Sequence, residues 1–244
     1  MTNVSKFGPT IGKIALLLLL CATTVAGFLW LPAAKGFPQP EMARIVVFHV
    51  PCAIVADLAA AVAAWYAIVY LRRRNQADDL KSSVSFGLAL LFSLLTTVTG
   101  AIFAKSQWGG YWNWDPKQTA ILMLLLIYVA YFALRAAVDD LRKRASLSAA
   151  YALFAVVAVP FLTYILPNST DQTLHPKNVI NTRDGLDISY KIVLWSGVLG
   201  LSLFYLWAFR VQVALGTLEL RLNGRIRRAS QDIEKRAVVV EVRK

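Results

Sequence analysis

A chain of 244 residues that is 57% hydrophobic, with its charges gathered into short clusters, lacks the polar outer faces of a soluble domain of this size. Its formal net charge of +12 flanks apolar runs instead of building one basic face, so a membrane, not nucleic acid, accounts for it. There is no P-loop, hydrolase or metalloprotease pattern, and neither of the two cysteines sits in C-x-x-C-H, which argues against an enzyme and excludes an ordinary c-type cytochrome.

Crossing roughly 30 Å of hydrocarbon takes about 20 mostly apolar residues in a helix. Six stretches qualify, near 14–32, 45–70, 84–104, 118–138, 149–167 and 189–213. Asp57 and the interior prolines Pro51 and Pro160 interrupt the pattern locally. The fold class expected is therefore all-α, a polytopic membrane protein of six helices over 1–213, followed by a basic tail over 214–244. The first run follows a basic segment, as a signal peptide would. It is too long for that, and "LPAAKGF" matches a small-residue cleavage site poorly, so it reads as a retained helix.

Cytoplasmic loops carry the excess of Lys and Arg. With both termini cytoplasmic, 19 of the 26 cations fall inside, including Arg72, Arg73, Arg74, Arg142, Lys143, Arg144 and the tail, against 7 outside. The outer seven are Lys35, Arg44, Lys105, Lys117, Lys177, Arg183 and Lys191. The tail, with "RLNGRIRRAS", suits a solvated segment drawn to anionic membrane lipids.

On this topology both histidines approach the outer face. His49 lies in "RIVVFHVPCA", one to two turns into the second span, and His175 lies in "STDQTLHPKN", between spans five and six. Neutral imidazole is the common protein ligand of haem iron, and two from opposite sides give a six-coordinate site. Either histidine alone reads equally as a solvated loop residue or a hydrogen-bonded interface residue.

Between spans three and four stands "WGGYWNWDP", residues 108 to 116, holding three of the seven tryptophans. Trp108 and Trp112 would share a helical face, and Trp112 and Trp114 an extended one, so the indoles cluster in either conformation. Gly109 and Gly110 let the backbone turn sharply and let a flat ligand approach. An aromatic belt is the plain alternative. A belt spreads over many helix ends, however, whereas here Tyr111 and three indoles occupy one loop, which favours a binding platform. In "DPKQ", Asp115 reads as an N-cap, with Pro116 at the first helical position and Gln118 as a capping-box partner. The positive end of that helix, with Lys117 and Lys105 beside it and Arg44 or Lys177 as further cations, suits the carboxylates of a porphyrin.

These residues carry a resemblance. "WGGYWNWDPKQT" resembles the tryptophan-rich WWD signature of haem-handling proteins of cytochrome c biogenesis. Six spans and "FHVP" opening the second resemble most the haem exporter protein C (CcmC) family. The resemblance implies a periplasmic-facing site in the bacterial inner membrane, where the tryptophan loop holds haem b and His49 and His175 ligate its iron. It further implies handover to a membrane-anchored haem chaperone (CcmE-like), beside an ABC transporter (CcmA/CcmB-like) that releases the chaperone. "PKQT" after the aspartate departs from the arginine, leucine, threonine more usual there and is closer to the CcsA/ResC-type cytochrome c synthases. Those relatives carry more histidines and more spans.

Asp57 lies outside that pattern. An acid in a membrane span costs at least about 2.5 kcal/mol and is a functional candidate by default, while a hydrogen bond to Thr96 or Tyr128 is its structural alternative. Cys21 and Cys52, inside apolar runs, read as small buried hydrophobes. Two further functional classes stay open. A b-type haem electron carrier would place its histidines in pairs within the hydrocarbon, and a transporter of another aromatic substrate would need the tryptophans only.

Overall fold

The computed structural model describes residues 10–170, 172–175 and 186–242, with side chains through Arg225. Among these residues there is no strand, and six helices are long and apolar enough to cross a membrane. They are α1 (Thr10–Trp30), α2 (Met42–Arg73), α3 (Gln76–Trp108), α4 (Pro116–Ala137), α5 (Leu141–Asn168) and α6 (Ile188–Val242). The count matches the hydropathy reading, and the edges move outward wherever a cap, and not an apolar residue, ends the helix. Asn75 accepts from the Ala77 N–H at 3.0 Å, so α3 begins eight residues before its apolar run. Asp140 does the same for α5 through the Lys143 N–H at 2.7 Å. The last helix runs without a break past residue 213 into the basic tail.

Helix α2 occupies the centre. Its inward face is a run of small buried residues, Ala56, Ala59, Ala60, Ala63, Ala64 and Ala67, which lets neighbouring backbones close in, as association within lipid requires. α3 leans on this face and makes its polar bonds there. Ser82 Oγ donates to Ala63 O at 2.9 Å, Ser85 Oγ donates to Ala59 O at 2.7 Å, and Tyr205 of α6 donates to Ser85 Oγ at 2.6 Å. Only Arg74 and Asn75 join α2 to α3, with Arg74 in the left-handed conformation at φ 54°, so the two helices pack as antiparallel neighbours. Phe86 fills the space towards α4, stacked on Tyr131 with ring centroids 4.0 Å apart and edge-on to Tyr128 at 5.0 Å. At the α3–α4 end nearest the loop basic residues, Arg135 makes a bidentate pair with buried Asp79, at 2.7 and 2.9 Å.

A second, smaller core forms at the opposite end of the bundle from Leu31, Ala34, Ala43, Val47, Leu186, Tyr190, Val193 and Leu194. There Tyr190 donates to Pro32 O at 2.7 Å, and the Gln107 side chain brackets the Gln39 backbone, accepting at 3.2 Å and donating at 2.9 Å. The connection between α1 and α2 is thereby fixed to the end of α3 that carries the tryptophan loop. Cys52 is buried as expected, whereas Cys21 is exposed on the outward face of α1, because that helix packs on the bundle along one narrow side only. Asp57 faces Thr163 and Tyr128 and not Thr96; the hydroxyls of both threonines donate to the carbonyl four residues back in their own helices, Thr163 to Val159 O at 2.9 Å and Thr96 to Phe92 O at 2.8 Å.

Candidate functional site

The tryptophan loop starts where α3 must stop. Gly109 caps α3 in the left-handed conformation at φ 81°, a geometry that costs glycine nothing, and open space surrounds the position a Cβ would take. Trp108 is thus the last residue of α3, and Trp112 does not continue its face. Trp112 and Trp114 pair instead with each other, edge to face at 6.0 Å, although Trp114 has φ 54° and the segment is not a regular extended strand. Trp108 stands edge-on to His175, with centroids 4.9 Å apart, and is buttressed by Phe103 at 5.6 Å. Tyr111 and Trp114 are 61% and 72% exposed, so the platform offers large aromatic surfaces.

The loop is held by Gln118 and Asn113. Gln118 accepts from the Asn113 N–H at 2.7 Å and donates to Tyr111 O at 3.3 Å, while Asn113 Nδ2 donates to Gly110 O at 2.9 Å. Gln118 therefore does not close a capping box on Asp115. The loop doubles back over the first turn of α4 and presents unpaired backbone groups nearer to it. A Cβ on Gly110 would lie 3.0 Å from Asn113 Oδ1, so glycine here permits that fold-back.

Asp115 does cap α4, accepting from the Lys117 N–H at 2.8 Å, with Pro116 in the first turn. It also binds the loop of the second histidine. The Thr173 hydroxyl at 3.0 Å and the Leu174 N–H at 2.6 Å donate to Oδ2, and His175 Nδ1 approaches Oδ1 at 2.8 Å. The Asp115 side chain is wholly buried. Burial works against its charge, but the facing His175 and the donors from Leu174, Lys117 and Thr173 outweigh it and hold the carboxyl below its usual range. For His175 burial prevails over the attraction of Asp115 and keeps the imidazole more readily neutral than usual. A carboxylate can only accept, so Nδ1 keeps its hydrogen and donates it to Asp115 Oδ1, which leaves Nε2 of the neutral ring as a bare lone pair.

His49 is prepared in the same sense by different groups. Its Nδ1 lies 3.0 Å from Thr96 O and 3.1 Å from Thr99 Oγ1. A carbonyl can only accept, so Nδ1 carries the hydrogen and Nε2 does not. Among the described residues neither Nε2 has a hydrogen-bond partner, and the two imidazoles lie within electrostatic reach of each other and of Lys117. Two such Nε2 atoms within electrostatic reach of each other, one of them against Trp108, form a donor set of the kind a haem iron takes.

The remaining sequence candidates divide. Lys117 lies within electrostatic reach of both histidines. Lys105 donates to Gly109 O at 2.9 Å and lies over the Tyr111 ring, tying the loop down. Arg44 pairs with Glu41 at 2.7 Å and donates to Phe28 O at 3.4 Å, which holds it to its own end of α2. Lys177 and Arg183 lie outside the described residues. Gln118 was expected as a capping-box partner and supports the loop instead, whereas Thr96, Thr99 and Thr173 as supports escaped the sequence reading. Their separations from the residues they support, such as 47 positions from His49 to Thr96, carry no local pattern.

The family model described as heme exporter protein C matches residues 1–231. Curated relatives of that description include the Paracoccus denitrificans protein, 28% identical over 209 residues covering 84% of this chain and 86% of that one. The Rhodobacter capsulatus protein is 29% identical over 161 residues, 64% of this chain and 66% of its own. The Escherichia coli protein is 31% identical over 154 residues, 62% and 61% of the two chains. With the family model spanning nearly its whole length, this chain belongs to the heme exporter protein C family.

Proposed function

We propose that this protein handles haem for cytochrome c maturation, holding haem b at the periplasmic face of the bacterial inner membrane and passing it on. The observation that carries this reading is the matched preparation of two histidines. Each has Nδ1 engaged by an acceptor and, among the described residues, no partner at Nε2; one sits on a helix and one on a loop, and His175 stands against Trp108 of the tryptophan loop. His49 and His175 would be the axial ligands, and Trp108, Gly109, Gly110, Tyr111, Trp112 and Trp114 the platform. Asp115 would orient His175, and Lys117, ahead of Arg44, would meet a propionate. Haem is cargo here, and the chain's own residues bind it, orient it and shield it from water.

The placement of His175 on a loop, held by one carboxylate, favours a site that opens for release over a permanent b-type electron carrier. The recipient is a membrane-anchored haem chaperone of the CcmE type, with CcmA/CcmB-like transporter subunits as further partners supplying ATP-driven work. Both termini face the cytoplasm in this reading, and the basic segment 214–244 lies on anionic lipid. The test is transfer in detergent from haem-loaded protein to the apo chaperone, followed by haem co-migrating with the chaperone. The wild type transfers and His49→Ala and His175→Ala do not. Transfer unimpaired in both variants would overturn the assignment.

A further inference from the structure

The carboxylate behind His175 has a counterpart behind His49 that belongs to no motif. His49 projects from α2 onto one turn of α3, residues 96–100. Its Nδ1 meets Thr96 O at 3.0 Å and Thr99 Oγ1 at 3.1 Å, and Thr99 Oγ1 in turn donates to Leu95 O at 2.7 Å. Every hydrogen in that chain then has one direction: imidazole to carbonyl and hydroxyl, and hydroxyl to the helix. The next residue is Gly100, and the ring lies directly over it. A Cβ built there would stand 2.7 Å from His49 Cε1 and 3.2 Å from Nδ1. Glycine inside a helix is a poor choice for stability, and this one lies eight residues before the end of a 33-residue helix, where the close approach of the ring accounts for it.

We propose that Thr99 and Gly100 are positioning residues, which seat the His49 imidazole against α3 and present a bare Nε2 before any haem arrives. The seat rests on the reading of His49 as a ligand, but it is a property of the protein without haem and can be measured there. It also makes the two ligands unequal. His175 is backed by a full negative charge and His49 by neutral acceptors, so His175 is the more basic donor. His49 is then the ligand whose bond to iron is the weaker.

The test uses the fact that the chain has two histidines, so 15N-histidine labelling yields one pair of ring signals from each. In the protein without haem, both histidines are expected as the Nδ1–H tautomer. In Gly100→Ala, one pair shifts to the mixed, Nε2–H-rich pattern of a solvated imidazole while the pair removed by His175→Ala stays in place. Thr99→Val shifts the same pair in the same direction but less, since Thr96 O remains, and Thr99→Ser restores it. With haem added, Gly100→Ala loses the low-spin spectrum and binds about 10-fold to 100-fold more weakly, as outer-shell substitutions do. Histidine signals unchanged in both Gly100→Ala and Thr99→Val would overturn the seat. If instead the signals shift as expected while His49→Ala retains a wild-type haem spectrum, the seat stands and the ligand reading fails.

Discussion

Asp115→Asn isolates the charge and the second acceptor of a residue that receives four hydrogen bonds. Asparagine caps a helix as well as aspartate, so its one oxygen can keep the Lys117 N–H, and α4 retains its first turn. The amide NH2 must then occupy the place of Oδ2, facing the Leu174 N–H that now donates there at 2.6 Å. Two donors cannot share that space. Reversing the amide satisfies Leu174 and Thr173 but sets NH2 against the cap and His175 Nδ1. Either way at least one bond to a charged acceptor is lost, about 1.5–3 kcal/mol, or roughly 10-fold to 150-fold in the occupancy of the docked loop. Haem titration of the detergent-solubilised variant, followed by absorbance, should show binding weakened by about that factor, within the range known for groups behind metal-bound histidines. The thermal midpoint of the haem-free protein should move little, because the cap survives. Binding within twofold of wild type would refute the argument that Asp115 holds His175 in place.

Acid should act late. Both Asp115 and His175 are held below their ordinary values, so the folded site favours carboxylate and neutral imidazole. The imidazole therefore stays neutral, and haem is retained, as pH falls through the usual histidine value of 6.5 and until it reaches the depressed one, while the stability the pair lends is complete above the unfolded values and is lost progressively between each group's unfolded and depressed values; a haem-retention profile against pH checks the first. Gln118→Ala removes two bonds that fold the tryptophan loop back on α4, about 1 kcal/mol each, and should raise protease cleavage within 109–114 while leaving the rest of the bundle protected. Asp79→Asn leaves Arg135 buried without its charge partner and should destabilise the bundle by about 3 kcal/mol, read from unfolding in detergent, without altering the haem spectrum. Cysteine introduced at Thr173 should react with a membrane-impermeant thiol reagent added outside spheroplasts, while cysteine at Arg73 should not.

The sequence discloses the membrane architecture because hydropathy over about 20 residues is a local property, and all six spans are found in the structure. It misplaces the edges because these depend on single side chains, Asn75 and Asp140, that look polar in any window average. The same division holds at the site. The histidines and the tryptophan loop stand out by residue type, and the D-P pair marks Asp115 as a cap. That Asp115 also grips His175, 60 positions away, is tertiary, and so is the seat of His49 on α3. Gly100 carries no trace of that seat in the sequence, since Gly87 interrupts the same helical run without facing a histidine. Gln118 shows the reverse, since its spacing fits a capping box and its contacts serve the loop instead.

The central claim is that one iron takes Nε2 from both histidines. Electron paramagnetic resonance of the ferric haem-loaded protein, beside His49→Ala and His175→Ala, tests it most directly. The account predicts a low-spin signal in the wild type, replaced in each variant by a high-spin signal that returns to low spin when free imidazole is added. A low-spin signal that persists in either variant without added imidazole would contradict it.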